Sequence, residues 1–377
     1  MLRSAEITAA ITQSAKEAGF DLMGVAPVED APELEYFPRW IAEGHAGEMK
    51  YLEARDEQGR LKRASLAHAT PWARSVIVCA LNYNTAEPYF TQAAEHTTKI
   101  PSTGAQSTNM QSRGWISRYA WGQQDYHDAV MPRLRKVETA VRTACGDGEV
   151  VTRCYVDTGP IVERVAAKYA GIGWIGKNTC MINQKIGSWF FLGVILTSID
   201  LEAGLPAPDR CGSCTRCIDA CPTDALIAPY QLDSNKCIAY LTIEKRGAIA
   251  EELRSGMGRH VFGCDICQDV CPWNGKAPVT NAPEFQPREG LVNPALDWLA
   301  EMSAEDFTRT FRGSPVKRAK RSGLRRNAVI AMGNSGERKF LPLLERLAGD
   351  EDEVVKESAE WAVAKLAEIR IHEKACG

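Results

Sequence analysis

The chain lacks any apolar run long enough to cross a bilayer. Its longest, Trp189 to Leu196, is eight residues, where a spanning helix needs about 20. The opening residues carry Arg3 and Glu6 with no apolar stretch behind them, so no secretory leader is read there and a cytoplasmic, membrane-free protein is expected. A large charge imbalance is also missing: the formal net charge is −3 over 377 residues, which gives no global sign of nucleic-acid binding. One local absence is informative. From Phe307 to Gly336 there is no Asp or Glu, while Arg309, Arg312, Lys317, Arg318, Lys320, Arg321, Arg325 and Arg326 all fall there. A basic stretch in an otherwise acidic chain is an electrostatic footprint for a polyanion. Lys317, Arg318, Lys320, Arg321, Arg325 and Arg326 are the candidate phosphate contacts.

Cysteine is not scarce. There are 13, and in a chain of this length without a secretion signal they point to metal ligation or burial rather than disulfides. Eight of them form a pattern. The first run is Cys211-x2-Cys214-x2-Cys217-x3-Cys221-Pro222, and the second is Cys264-x2-Cys267-x3-Cys271-Pro272. This is the spacing of a ferredoxin-like module with two 4Fe–4S clusters, in which the last Cys of each run ligates the other cluster. The second run lacks its first Cys, because Val261 stands there, and Cys237 is the substitute. Cys211, Cys214, Cys217 and Cys271 then hold one cluster, and Cys264, Cys267, Cys237 and Cys221 the other. A zinc ribbon also pairs CxxC units, but it explains neither the CxxCxxCxxxCP run nor eight thiols. Cys79, Cys145, Cys154, Cys180 and Cys376 read as ordinary core or surface thiols.

Helical and strand patterns alternate before the clusters. Ala5 to Gly19, Asp125 to Cys145 and Val162 to Tyr169 read as helices; Leu22 to Ala26, Ser75 to Leu81, Arg153 to Val156 and Gly187 to Thr197 read as strands. The expected fold is an α/β (α+β) domain over 1–204, the ferredoxin-like module over 205–276, and a helical region over 277–377. In the last, Leu324–Met332 aligns with Val355–Val363, Ala328 matching Ala359 and Ala331 matching Ala362, which suggests HEAT-like repeats with Phe340 to Leu347 between them. Gln92 to Arg113 reads as an exposed polar loop. Gly171 to Gly176 matches G-x-G-x-x-G, but a helix precedes it and none follows, so no dinucleotide site is read; the glycines serve a tight turn or a close backbone approach to a ligand.

Clusters move single electrons, and two further domains imply that a cofactor receives them. At this point the chain resembles the epoxyqueuosine reductase family. The resemblance rests on Val156-Asp-Thr-Gly-Pro160 with Glu163-Arg164, Ala170 to Asn178, Gly187 to Leu192, the run Cys211 to Ala225, Asn235 to Glu244, Phe262 to Asn274, Gly313-Ser-Pro315 and Arg326-Asn327. It implies reduction of epoxyqueuosine to queuosine at the wobble position of tRNA, with electrons passing from two 4Fe–4S clusters to cobalamin. It further implies a tRNA partner, a low-potential electron donor and a monomer. Asp157 matches the family's proton donor, a carboxylic acid that burial would tune toward neutral pH; read alone it is equally a helix cap or an Asx turn. Arg63 is the expected cobalamin contact, with Arg60 and Lys62 as rivals, and Lys177 and Asp265 lie in family-like segments that could face the corrin or substrate. No Asp-x-His-x-x-Gly motif is present, so nothing outside the resemblance indicates the corrin. Tyr119, Trp121, Trp174 and Tyr240 are aromatic candidates for stacking on an unstacked base, each against a core reading. The chain departs from the family pattern by an extra residue between Gly122 and Asp125 and by a longer polar loop before Arg113.

Rival readings are a reductive dehalogenase-like enzyme, a non-enzymatic iron–sulfur carrier or scaffold, and an RNA-binding protein with structural clusters. The first has no use for a basic helical tail. The second predicts no corrinoid and no change in tRNA.

Overall fold

The computed structural model describes residues 4–93, 112–145 and 149–375. Most of the polar loop read at Gln92 to Arg113 lies outside the described residues, as does Cys376.

Six strands matter to the site: β1 (Leu22–Pro27), β2 (Ser75–Asn82), β3 (Thr152–Tyr155), β4 (Trp174–Ile175), β5 (Met181–Ile182) and β6 (Phe190–Thr197). Four form one sheet in the order β1-β2-β6-β3, with every neighbouring pair antiparallel. Helices α1 (Ser4–Glu17), α2 (Pro32–Ala42), α3 (Tyr126–Cys145) and α4 (Glu163–Tyr169) surround it. Strand β2 is buried along its whole length, because helices cover both faces. Ile77, Cys79 and Leu81 pack with Ile11, Val130 and Leu134 of α1 and α3. The alternate residues Val76, Val78 and Ala80 pack with Ala166 and Ala167 of α4. A period of two therefore splits one apolar run between two cores. Strands β4 and β5 form a separate hairpin. A Cβ on Gly173 would collide with the Ile182 carbonyl oxygen and one on Gly176 with the Ile182 side chain, so these two glycines of the G-x-G-x-x-G stretch let the hairpin close on itself.

The cysteine module is built from short turns. Arg216–Asp219 carries Cys217 of the first run, and Ile266–Asp269 carries Cys267 of the second. Beyond it, α5 (Lys320–Asn334), α6 (Leu341–Leu347) and α7 (Glu353–Ala375) pack together. Ala328, Ala331, Ala359 and Ala362 are all fully buried; the small residues that align in the sequence meet where α5 approaches α7. One core crosses both boundaries read from the sequence. Trp115–Ile116 pairs in parallel with His260–Phe262, and Trp115, Trp121, Val261 and Phe262 share a cluster with Leu296, Phe311 and Leu324. The 112–121 segment has thus left the N-terminal unit for the C-terminal core. No helix among the described residues is long and apolar enough to cross a membrane.

Candidate functional site

Strand β3 ends just before Asp157, and Asp157 takes a left-handed backbone conformation, φ 56°. Asp and Asn tolerate that region better than most residues. The turn brings its exposed carboxylate to the rim of a cavity of about 950 Å³, where Oδ2 accepts a hydrogen bond from the Tyr126 hydroxyl at 3.0 Å. Tyr126 is fixed in turn by stacking on Phe191, with ring centroids 4.7 Å apart, and on His127, at 4.1 Å. Burial and the Asp157 charge raise the Tyr126 phenol above its ordinary range, so it stays a donor. His127 is raised by its hydrogen bond to Asp125.

Arg63 lines the same cavity. It donates to the Tyr51 carbonyl at 3.0 Å and lies over the Tyr51 ring at 5.8 Å. Arg318 approaches that ring too, at 5.4 Å, and pairs with Glu244. The basic stretch therefore reaches the Asp157 cleft through Arg318, a convergence that the 254 residues between Arg63 and Arg318 conceal. The rest of the wall is largely aromatic and apolar: Tyr36, Phe37 and Trp40 of α2, Ile161, Val162, Trp174, Ile175 and Pro206 to Pro208. Three polar atoms of lining residues are buried without a partner: Tyr36 Oη, Trp174 Nε1 and Glu163 Oε1. Burial, then the nearby Asp157 charge, pushes the Glu163 carboxyl up to about 7. The sequence reading passed over Glu163 as part of a matching segment. Its signal was an acid set among Ile161, Val162 and Val165, six residues past Asp157.

A second cavity, of about 320 Å³, is lined by Cys211, Cys214, Cys217 and Cys271. Burial pushes Cys271 up to about 11, with Cys211 and Cys217 adding to the shift. The other four cysteines act on one another: Cys264 is raised by burial and then by Cys237 and Cys221, and Cys267 is raised by its hydrogen bond with Cys180, then by burial, with Cys264 and Cys237 contributing. Cys180 reaches hydrogen-bonding range of Cys267, so this thiol, read as a bystander, borders the cysteine module. Among the described residues no group of three or more His, Cys, Asp or Glu is spaced to hold a single metal ion. Four thiols around a space of about 320 Å³ suit a cubane, which separates its ligands across the cluster.

One hairpin divides the two cavities. Trp174, Ile175 and Thr179 line the large one, while Lys177, Asn178 and Ile182 line the cysteine cavity. Lys177 therefore does not face the large cavity as expected. Its ammonium donates to the carbonyls of Gly212 at 2.7 Å and Cys214 at 3.0 Å, pinning the first cysteine loop. Asp265 is also corrected. It is 1% exposed and accepts from Trp115 Nε1 at 3.2 Å, from the Arg118 amide at 2.8 Å and from the Ser117 hydroxyl. It anchors the 115–118 segment and lines neither cavity.

The basic stretch divides as well. Arg326, 1% exposed, donates to the carbonyls of Leu241 at 2.7 Å, Gly247 at 2.7 Å and Lys245 at 3.1 Å. Arg325, 5% exposed, pairs with Asp350 and donates to Ala300 O at 2.7 Å. Both are turned inward with their donors used, so neither meets a phosphate. Arg321 is half-buried and donates to Met302 O at 2.7 Å. Lys317, Arg318 and Lys320 remain exposed. Of the aromatic candidates, Trp121 is fully buried and Tyr240 is buried with its hydroxyl accepting from the Glu48 amide at 2.7 Å. Tyr119 packs against Phe262. Trp174 alone of the four borders the large cavity.

Family comparison follows this division. A 4Fe-4S double cluster binding domain matches residues 210–274, and the family described as Epoxyqueuosine reductase QueG, DUF1730 matches residues 63–158. The epoxyqueuosine reductase of Xanthomonas campestris pv. campestris is 37% identical over 361 residues, 96% of each chain. That of Pseudomonas aeruginosa is 38% identical, covering 97% of this chain and 96% of the relative. A crystal structure of epoxyqueuosine reductase with a tRNA-Tyr epoxyqueuosine-modified stem loop superposes with a TM-score of 0.82 at 29% identity, covering 97% and 91% of the two chains. With a cluster-binding cysteine set, an aspartate-rimmed cavity beside it and this likeness along nearly its whole length, the chain belongs to the epoxyqueuosine reductase family.

Proposed function

We propose that the cavity at Asp157 holds cobalamin and admits the wobble nucleotide of a tRNA, whose epoxyqueuosine the chain reduces to queuosine. The observation that carries this reading is the shared hairpin: residues 174–182 form a wall with four cysteines on one side and the Asp157 cavity on the other. An oxidoreductase that moves electrons from clusters to a substrate needs that adjacency.

The cavity fits a large ligand with an apolar body and a polar rim. Aromatic side chains supply its walls, and the unpartnered Tyr36 hydroxyl, Trp174 N–H and Glu163 carboxyl supply polar groups. Arg63, Tyr36 and Trp174 would hold the corrin. Once bound, cobalamin supplies low-potential cobalt chemistry, which side chains lack, and the clusters supply single electrons.

The chain's own residues manage the proton. Asp157 sits where a carboxylic acid can protonate the departing epoxide oxygen, and Tyr126 holds that carboxyl in one orientation. A Bacillus subtilis relative, 29% identical, has been seen with its aspartate catalytic loop swung out of the active site, which supports a functional role for this turn. Arg318 reaches the cleft at Tyr51, and it and the exposed Lys317 and Lys320 suit the phosphates of an anticodon stem-loop. The helical region from 277 serves as the tRNA-binding, HEAT-like part, the chain acts as a monomer in the cytoplasm, and a low-potential donor reduces the clusters. The test is an absorption titration of the anaerobic protein with cobalamin. Saturable binding that Thr179→Trp abolishes without iron loss is expected; undiminished binding by that variant places the corrin elsewhere.

A further inference from the structure

Reducing an epoxide to an alkene breaks both C–O bonds, forms C=C, and takes up two electrons. The oxygen leaves as water only if it also receives two protons. One carboxyl at Asp157 carries one proton. While a tRNA covers the cleft, the second must come from inside it.

Glu33, Glu163 and Asp209 are the other acids lining the cavity; Glu33 pairs with Lys168, and Asp209 accepts from the Cys211 amide and the Tyr230 hydroxyl, which leaves Glu163. Its Oε1 is buried with no partner, and Asp157 acts on it through both its charge and its backbone N–H. The cations nearest it are engaged elsewhere: Arg63 donates to the Tyr51 carbonyl and Arg164 of α4 to the Thr179 carbonyl. On α2, Glu33 pairs with Lys168 and accepts from Tyr169. Among the described residues no ion pair reaches Glu163. We propose that Glu163 is the proton store of the cleft, reloading Asp157 so that one bound epoxide receives both of the protons it needs. Its midpoint near 7 keeps it substantially protonated at neutral pH. Glu163 acts through Asp157 and is a relay residue. The proposal rests on the epoxide-reducing reading of the site.

The groups that set its titration are Asp157 from the turn, Arg164 on its own helix and Arg63 from the 62–64 turn; His127 and Arg318 act on the Asp157 side. Turnover of the cluster- and cobalamin-loaded enzyme on epoxyqueuosine tRNA is measured from pH 5.5 to 8.5, together with cobalamin affinity and the infrared band of protonated carboxyls. Wild type should lose rate as pH rises through about 7, and a carboxyl band should disappear over the same range. Glu163→Gln should turn over at least about tenfold more slowly at pH 6, without that limb and without that band. Glu163→Asp should recover part of the rate and restore a limb. A Glu163→Gln enzyme with wild-type rate and limb overturns the proposal. So does a rate loss that tracks weakened cobalamin binding while the limb persists, because Glu163 would then be a corrin contact. Wild type inert on this tRNA at every pH would instead sink the functional reading beneath it.

Discussion

Replacing Asp157 by asparagine removes an ionisable proton and little else. The backbone at 157 lies at φ 56°, a region asparagine enters as readily as aspartate, whereas alanine there costs about 1–2 kcal/mol. The amide oxygen of asparagine can still accept from the Tyr126 hydroxyl that now sits 3.0 Å from Oδ2. Fold, cluster content and cobalamin binding should therefore match wild type. Turnover should not. A positioned acid contributes about 10²–10⁴ in rate, or about 2.7–5.4 kcal/mol of barrier. Asp157→Asn should lose that much in an anaerobic assay that counts queuosine against epoxyqueuosine in digested tRNA. Asp157→Ala should lose as much activity and also melt earlier. An Asp157→Asn enzyme within about threefold of wild type would refute the proton-donor assignment.

Tyr126→Phe keeps the stacking on Phe191 but loses one hydrogen bond to a carboxylate, worth about 1.5–3 kcal/mol; steady-state turnover should fall roughly 10- to 150-fold with tRNA affinity unchanged. Arg326→Ala strips three carbonyls of their donor and should cost roughly 2–4 kcal/mol of stability. A lowered melting temperature with an unchanged salt dependence of tRNA binding is the expected result, and the reverse pattern would restore its phosphate role. Lys317→Ala and Lys320→Ala should each flatten the slope of log affinity against log salt by about 0.7–0.9. Glu163 has a folded-state value near 7 against an ordinary 4.5, so folding favours its protonated form. Its contribution declines as pH rises from about 4.5 to about 7, by up to about 3 kcal/mol before screening is allowed for. Glu163→Gln should therefore raise the melting temperature at pH 8 and leave it unchanged at pH 4.

The double-cluster domain was legible because thiolate spacing is a local property: CxxCxxCxxxCP is written in consecutive residues. The strands were legible through their apolar runs, and the α5–α7 contact through alanines a fixed step apart. What stayed hidden depends on side-chain direction or on distant approach. Arg325 and Arg326 share a charge with Lys317 and Lys320, and composition cannot show that a helix turns the first two inward to cap carbonyls at 241–247 and 300. Asp265 lies in a family-like segment, which made it a candidate, yet its lone pairs are used by Trp115, Ser117 and Arg118. The 112–121 segment crossed a domain boundary because Trp115 and Trp121 find their apolar partners in the C-terminal core. Glu163 escaped notice because its chemistry comes from burial beside Asp157, and burial is a property of the fold.

The most direct test of the account is a single-turnover reaction. The protein is purified without oxygen, loaded with iron, sulfide and cobalamin, reduced, and mixed with a substoichiometric amount of epoxyqueuosine tRNA. Queuosine formation that needs both the clusters and cobalamin, and that disappears in Asp157→Asn while iron content holds, is the predicted result. Queuosine appearing at wild-type rate in that variant, or without the corrinoid, would contradict it.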